Sequence, residues 1–351
     1  MSITWVRRTP PGAPHVVTIR DVAAEAGVSI TTVSRALNES GRVGRATRER
    51  VLNAARRLGY EPNDLARSLH GKATGTIAVL VPDITNPFFP ELVKGVQEVA
   101  TAHQKLLLLC QTSEDSEIAV QELLHLRRKR VDGVVLVGGL AASEQLDAAL
   151  AGLPVVAVDR DTTVDGSQVV RSDHRRGGRL ATEHLIELGH ERIAHVRGPA
   201  HLSVARDRHD GYREALEEAG LPYDASLVVE GGFLEEGGCD GLRALRRRRR
   251  PFTAVFCGND LMAIGALRAL EDVGLAVPDE VSVVGFDDIH LASYLRPSLT
   301  TVHQPIQTLG RRAAALLIGS AMNDEQPASE VLDVHIVRRQ TTARHRRTEV
   351  R

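Results

Sequence analysis

Polar and aromatic side chains follow several apolar runs of the sequence, at the point where each run ends. They are Asn86, Phe88 and Phe89 after VLVPDIT, Asp159 and Arg160 after VVAV, Asn259 and Asp260 after VFCG, and Phe286, Asp287 and Asp288 in VVGFDD. Ligands of open α/β sheets bind beyond the carboxyl ends of the strands. Carboxylate, guanidinium and amide groups beside aromatic rings suit a polyhydroxylated ring, because they hydrogen-bond its hydroxyls and cover its carbon faces. Taken singly, each of these residues could equally cap the helix after its strand.

A second kind of chemistry is indicated near the amino terminus, where three short segments have helical period. They are TIRDVAAEAG, VSITTVSRALN and ATRERVLNAARRLGY. Thr18 with Asp21 predicts a capping box for the first helix, and Ser29 is a natural N-cap for the second. The second helix would face outward with Ile30, Thr31, Thr32, Ser34 and Arg35.

Such a face suits the major groove of DNA, since threonine methyls can meet thymine methyls and Arg35 can bind a guanine edge. Residues 1–72 carry 12 Lys and Arg against 6 Asp and Glu, whereas the whole chain has a net charge of −1. This asymmetry favours phosphate contact. A purely structural three-helix cap with a polar surface is the alternative from these residues alone.

Enzymatic chemistry finds little support in the sequence. His184, His190 and His195 straddle a predicted helix end and a strand, so surface or capping roles are favoured over a metal site. Neither GxxxxGK[ST] nor GxGxxG occurs. We therefore expect a protein that is not an enzyme and has neither a metal site nor a cofactor.

Beyond Gly75, short apolar runs alternate with segments of helical period, which is typical of buried parallel strands with crossover helices. The runs are TIAVLV, LLLLC, VDGVVLV, PVVAV, ERIAHV, TAVFC and VSVVGF. A single sheet seldom absorbs so many units, and Gly and Pro near 166–178 and 297–305 mark crossings between two lobes. The sequence predicts an α/β protein with two doubly wound parallel sheets, preceded in the chain by a small helical domain.

The predicted organisation has five segments. They are a disordered leader at 1–17, a helix-turn-helix domain at 18–62, a linker with helical potential at 63–75, a two-lobed domain at 76–340 and a tail at 341–351. The first lobe is assigned to about 76–170 and 305–332, and the second to about 171–304 and 333–340.

The composition predicts a cytoplasmic protein without a membrane segment. No run approaches the roughly 20 apolar residues that a membrane span needs. The start, MSITWVRRTPPGAPH, lacks the apolar core of a secretory signal. Cys110, Cys239 and Cys257 are too far apart for a paired spacing, so we interpret them as small buried residues.

The amino-terminal residues TIRDVAAEAGVSITTVSRALN and TRERVLNAARRLGYEPNDLARSL resemble, almost position for position, the signature of the lactose and galactose repressor (LacI/GalR) family. The resemblance continues through VPDITNPFF, ATEHLIELGHERIAHVRGP, FCGNDLMAIGALRAL and LTTVHQP, over roughly residues 18–340. It implies that the second helix lies in the major groove, with Ile30, Thr31 and Arg35 reading bases. Phosphate or other DNA contacts are implied for Thr18, Ser29, Thr32, Ser34, Asn38 and Asn63.

The resemblance also assigns a role to the linker. Residues 63–71 would fold into a hinge helix when a homodimer binds a palindromic operator, and Leu69 would enter the central minor-groove step. Such coupling of folding to DNA binding would let a distant ligand control affinity.

Ribose-type periplasmic binding proteins and ribose repressors share this frame. The resemblance implies a pocket made of Asn86, Phe89, Asp159, Arg160, Arg208, Phe233, Asn259, Phe286, Asp287 and Gln304, to which the strand-end pattern adds Phe88. We expect the effector to be ribose, a related pentose or a ribosyl compound rather than a disaccharide or a purine base. The alternative is a regulator that responds to a nucleoside or a phosphorylated sugar. A sugar-binding protein without a DNA role is a further alternative, but it would carry a signal peptide in place of the first 70 residues.

Overall fold

The computed structural model describes residues 17–37, 43–60, 74–113, 115–138, 143–159, 168–320 and 329–345. The chain divides into two compact units, the first ending at Thr74 and the second beginning at Gly75. Among the described residues, no helix is long and apolar enough to cross a membrane.

The amino-terminal unit contains helices α1 (Ile19–Ala26), α2 (Ile30–Leu37) and α3 (Arg45–Leu58). Their apolar faces meet in a small core that includes Val22, Val33, Val51 and Ala54. Gly27 makes the tight turn between α1 and α2 with a φ of 64°, a conformation that glycine adopts without steric cost.

Strands and helices alternate along the second unit. The strands are β1 (Thr76–Val81), β2 (Leu106–Gln111), β3 (Gly133–Val137), β4 (Val155–Val158), β5 (Gln168–Ser172), β6 (Ile193–Arg197), β7 (Val228–Glu230), β8 (Ala254–Cys257), β9 (Ser282–Asp287), β10 (Thr300–His303), β11 (Glu330–Leu332) and β12 (His335–Val337). The helices are α4 (Phe88–Ala102), α5 (Ser116–Lys129), α6 (Glu144–Leu150), α7 (His174–Glu187), α8 (Ser203–Glu218), α9 (Glu235–Arg247), α10 (Asp260–Glu271) and α11 (Ile306–Ser320).

These strands form two six-stranded sheets, one in each lobe. The first has the order β11-β5-β4-β3-β1-β2 and is parallel throughout, while the second has the order β12-β10-β9-β8-β6-β7 and is parallel except for β12. All seven apolar runs form strands, which confirms the predicted α/β class with two parallel sheets. The short strands β5, β7, β10, β11 and β12 were not anticipated, since none has a long apolar run.

The chain passes between the two sheets three times. The crossings lie between Ser172 and His174, between His303 and Ile306, and between Leu332 and His335. Each lobe is therefore built from segments that are far apart in the sequence, and three short connections join them.

Glycines let helices α7 and α8 pack closely. A Cβ at Gly178 would overlap the carbonyl oxygen of Arg208, and one at Gly211 would overlap that of Arg175. The same reciprocal arrangement joins α4 to α11 and α9 to α10. Because Arg208 lies on α8, this contact fixes where its side chain enters the space between the lobes.

The second lobe extends beyond residue 340, where the sequence placed the start of a tail. Thr341 is fully buried, and its hydroxyl donates to Val283 O at 2.7 Å. The N–H of His345 donates to Leu188 O at 2.8 Å. The polar composition of this segment concealed its packing. The predicted leader lies outside the described residues apart from residue 17, as do residues 63–73 of the predicted linker.

The histidines assigned to surface or capping roles are in fact buried, so that prediction was wrong. His195 Nδ1 lies 2.9 Å from Phe256 O, and its ring stacks on the Phe256 ring at 4.6 Å. His190 contacts the hydroxyls of Thr253 and Ser282 at 2.9 and 3.0 Å. These side chains are core residues of the second lobe. Among the cysteines, Cys257 is buried as predicted, whereas Cys110 and Cys239 are partly exposed.

The close contact of α7 and α8 predicts a stability effect. We expect Gly178→Ala to lower the free energy of unfolding by about 1–3 kcal/mol, because overpacking a tight contact has this cost. Gly319→Ala is the matched control, since a Cβ there meets nothing within 4 Å, and we expect it to be neutral or to stabilise by up to about 1 kcal/mol. Urea denaturation compares the two variants. Equal effects would contradict this account of the packing.

The burial of His195 predicts a pH dependence. Burial lowers its pKa from 6.5 to about 3, so between these values the unfolded chain binds a proton that the folded chain does not. Stability from this residue is full above about pH 6.5 and falls as the pH decreases, by about 2 kcal/mol between pH 7 and pH 5. We therefore expect the free energy of unfolding of His195→Asn, measured by urea denaturation, to fall by about 2 kcal/mol less between pH 7 and pH 5 than that of the wild type. An unchanged difference would refute the assignment.

Candidate functional site

A cavity of about 390 Å³ lies between the carboxyl ends of the two sheets. The first lobe contributes Pro82, Asp83, Asn86, Phe88, Phe89, Gln111, Ser113, Val137, Gly138 and Asp159, and the second contributes Leu202, Ser203, Val204, Arg208, Gly232, Phe233, Leu234, Asn259 and Asp287. Polar groups and aromatic rings from both lobes therefore face one space, as the strand-end pattern predicted.

Most residues predicted for the pocket line this cavity. They are Asn86, Phe88, Phe89, Asp159, Arg208, Phe233, Asn259 and Asp287. Phe286 and Gln304 do not line it but lie behind it, because both are almost completely buried against lining residues. Arg160 lies outside the residues that the structure describes.

Arg208 is the central cation of the cavity, with only 5% of its surface exposed. Its guanidinium stacks on the ring of Phe286 at 3.8 Å, and Nη1 lies 3.6 Å from Asp287 Oδ1. Nη1 also donates to the carbonyl oxygen of Gly258. Gln304 Nε2 donates to the same Asp287 oxygen at 2.7 Å. Phe286 and Gln304 thus hold the two charged groups in place from behind.

The carboxylates of the cavity differ in their proton affinity. Burial raises the pKa of Asp287 to about 7, although Arg208 and Gln304 each act to lower it. Burial and the neighbouring Asp287 raise the pKa of Asp260, which lies behind the cavity. Burial also acts to raise the pKa of Asp159, but His174 and other neighbours hold it below its ordinary value. Asp159 therefore acts as a hydrogen-bond acceptor, whereas Asp287 can accept or donate near neutral pH.

Several cavity residues have backbone conformations that L-residues rarely adopt. The φ angles are 52° at Ser113, 50° at Asp159, 59° at Phe233 and 111° at Asp287. Each such conformation has a free-energy cost of order 1–3 kcal/mol and persists only where surrounding contacts enforce it. Their clustering at the cavity is typical of a functional site.

Asn259 connects a helix to the loop that carries Phe233. Its Oδ1 accepts from Met262 N–H at 2.9 Å, which caps α10, and its Nδ2 donates to Phe233 O at 2.9 Å. One side chain thus caps the helix and also borders the cavity.

Sequence reasoning missed some residues of the site. Gln111 directly follows the run LLLLC, so the strand-end rule itself would have found it. Ser203 and Val204 begin α8 and follow no apolar run. His174 lies behind the cavity, where its Nε2 is 2.9 Å from Asp159 Oδ1.

The predicted DNA-reading face is presented by α2 of the amino-terminal unit. Val33 and Ala36 are buried, while Ile30, Thr31 and Arg35 are exposed. Thr32 and Ser34 are half-buried, and Thr18 and Ser29 are exposed. Ser29 Oγ accepts from Thr32 N–H at 3.1 Å and caps α2, as predicted. Asn38, Asn63 and Leu69 lie outside the described residues.

Two family models match the chain. Residues 18–63 match the model for bacterial regulatory proteins of the lacI family, and residues 182–342 match the periplasmic binding protein-like domain. The ribose operon repressor of Halalkalibacterium halodurans is 41% identical over 303 residues, which cover 86% of this chain and 90% of the relative.

Solved structures are similar over most of the chain. A LacI family regulator from Enterococcus faecium with bound ribose is 32% identical with a TM-score of 0.71, covering 77% of this chain and 100% of that one. The lac repressor dimer bound to operator and an anti-inducer is 30% identical with a TM-score of 0.83, covering 94% and 100%.

A helix-turn-helix unit joined to a two-lobed receptor with a polar cavity defines a DNA-binding regulator that responds to a ligand. The chain belongs to the LacI family of bacterial transcriptional regulators. Its curated relatives are transcriptional regulators rather than enzymes.

The two roles of Asn259 can be separated by substitution. We expect Asn259→Ala to lower the free energy of unfolding by about 1–2 kcal/mol, since α10 loses its cap. Asn259→Ser keeps an oxygen that can cap α10 but loses the donor to Phe233 O, so most of this stability should return while the loop stays unanchored. Thermal unfolding of both variants tests this. A serine variant as unstable as the alanine variant would contradict the capping role.

Proposed function

We propose that this chain is a repressor that binds a palindromic operator as a homodimer and whose affinity for DNA is controlled by ribose or another pentose bound in the cavity. The observation that carries the proposal is the convergence of Asp159, Arg208, Asn259 and Asp287 on one cavity. Phe88, Phe89 and Phe233 border the same space. Charged and amide groups can hydrogen-bond several hydroxyls, and aromatic rings cover ring carbons.

The charges of the cavity favour a neutral sugar over a phosphorylated one. Asp83, Asp159 and Asp287 are acidic, and Arg208 is the one cation among the described lining residues. Arg208 already contacts Asp287 and the Gly258 carbonyl. A phosphate would therefore meet net repulsion rather than the cluster of free cations that usually binds it.

Two similar proteins whose names or bound ligands involve ribose support the same effector. One relative is named a ribose operon repressor, and one similar structure holds ribose. A nucleoside is the second candidate, since about 390 Å³ exceeds the volume of a single pentose and three phenylalanine rings could flank a base.

Control of DNA binding follows from thermodynamic linkage. If ribose closes the two lobes on each other, it favours one arrangement of the three crossings. A ligand that binds one state more tightly shifts the population toward that state, and the effect on DNA affinity is reciprocal. Titrations of operator DNA with and without ribose show whether the sugar weakens or strengthens DNA binding.

The effector assignment predicts the outcome of calorimetric titrations. We expect saturable binding of D-ribose, and a loss of about tenfold to a hundredfold in affinity for Asp287→Ala and Arg208→Ala, since a hydrogen bond to a charged group contributes about 1.5–3 kcal/mol. Asp240→Asn, on the exposed face of α9, is the matched control and should bind like the wild type. A panel of pentoses, hexoses, adenosine and ribose 5-phosphate tests selectivity. Tighter binding of adenosine or ribose 5-phosphate than of any pentose would overturn the pentose assignment.

The DNA-reading role predicts a change in sequence selectivity. We expect Arg35→Ala to reduce the ratio of specific to non-specific affinity by about tenfold to a hundredfold, because a bidentate base contact contributes about 1–3 kcal/mol of discrimination. Arg57→Ala serves as a control, since Arg57 pairs with Glu25 at 3.0 Å. Duplexes selected from a random library supply the operator, and fluorescence anisotropy measures both affinities. A ratio unchanged by Arg35→Ala would remove this residue from base reading.

A further inference from the structure

His174 lies between the two lobes and contacts a charged group from each. It is the first residue of α7, directly after the crossing from β5, and only 1% of its surface is exposed. Its Nε2 is 2.9 Å from Oδ1 of Asp159, at the end of β4 in the first lobe. Its Nδ1 is 3.3 Å from both Nε and Nη2 of Arg208, on α8 in the second lobe.

The partners of this imidazole determine where its proton lies. A guanidinium only donates hydrogen bonds, so Nδ1 must accept from Arg208. The ionised carboxylate of Asp159 only accepts, so Nε2 must carry the proton and donate. The ring is therefore neutral with its hydrogen on Nε2, because a second proton on Nδ1 would face the N–H groups of Arg208.

We propose that His174 is a positioning residue for the effector site, a neutral link that orients Arg208 and Asp159 toward the ligand. The proposal rests on the proposed function. His174 engages the Nε edge of Arg208, and the Gly258 carbonyl engages Nη1. The remaining N–H groups of the guanidinium are then left for Asp287 and the cavity.

Without the link, both charged groups would have other arrangements. Arg208 could turn toward Asp159 and neutralise the carboxylate that the sugar needs as an acceptor. The backbone N–H of Ser172 also donates to Asp159 Oδ1 at 2.9 Å, so this oxygen is fully engaged and the second carboxylate oxygen is the one available to a ligand. His174 thus determines which atoms of the two charged groups reach the cavity.

The electrostatic surroundings agree with a neutral ring. Burial lowers the pKa of His174, Asp159 acts to raise it, and Arg208 and Arg171 act to lower it further. The imidazole is therefore neutral at physiological pH, with its single proton on Nε2.

Two substitutions separate the halves of the link. In His174→Asn, the side-chain carbonyl oxygen can occupy the place of Nδ1 and keep the hydrogen bonds from Arg208. In His174→Gln, the side-chain NH2 group can reach the place of Nε2 and keep the hydrogen bond to Asp159. We expect His174→Gln to weaken D-ribose binding by tenfold or more and His174→Asn to weaken it less. His184→Asn is the matched control: His184 is buried and contacts Thr342 away from the cavity, so it should reduce stability without changing affinity.

Calorimetry and urea denaturation of the full chain test these expectations together. If both His174 variants lose stability but bind D-ribose like the wild type, the residue is only structural and the proposal is overturned. Nitrogen-15 NMR of histidine-labelled protein, with the His174 signal identified by its loss in His174→Asn, gives a readout that needs no ligand. A proton on Nε2 alone supports the link, and a proton on Nδ1 overturns it. If wild-type protein binds no pentose, the proposed effector fails, and the NMR result then decides the link separately.

Discussion

The burial of one guanidinium group is the constraint on which the rest of the receptor depends. Arg208 cannot lose its proton at any physiological pH, and a buried charge without partners is strongly destabilising. Burial lowers its pKa while Asp287, Asp159 and Asp260 act to raise it. Those carboxylates belong to three different strand ends or helix starts and to both lobes. The need to balance one cation therefore brings together elements that are distant in the sequence, and the polar cavity is the result.

Much of the fold followed from the sequence because burial on both faces leaves a direct trace in composition. Runs such as TIAVLV and VSVVGF are apolar throughout, since parallel strands between helices have no solvent-facing side. Strand β5 could not be found in this way, because its residues alternate between buried and half-buried positions. The end of the second lobe was misplaced for a related reason. Thr341 packs as a buried residue through hydrogen bonds rather than through apolar surface.

Residues that lie at strand ends could be predicted to border the cavity, whereas residues whose positions depend on tertiary contacts could not. Asp159, Asn259 and Asp287 each lie at or just after the end of a strand, so topology alone brings them to the carboxyl edges of the two sheets. Gln304 and Phe286 were named for the pocket, but the structure gives them places behind it, since sequence position does not distinguish a lining residue from its support. His174 was not identified because its role comes from two partners, 15 and 34 residues away in the chain, that meet only after folding.

The reciprocal glycine contacts between helices have a consequence for how such a receptor can diverge. They lock helix to helix within each lobe, so any displacement of one lobe against the other must occur at the three short crossings. Side chains such as Phe233 and Gln111 border the cavity without entering those contacts. Part of the cavity wall can therefore change without disturbing the helix packing. A lineage can alter these bordering side chains by a few substitutions while inheriting the same packed lobes and crossings unchanged.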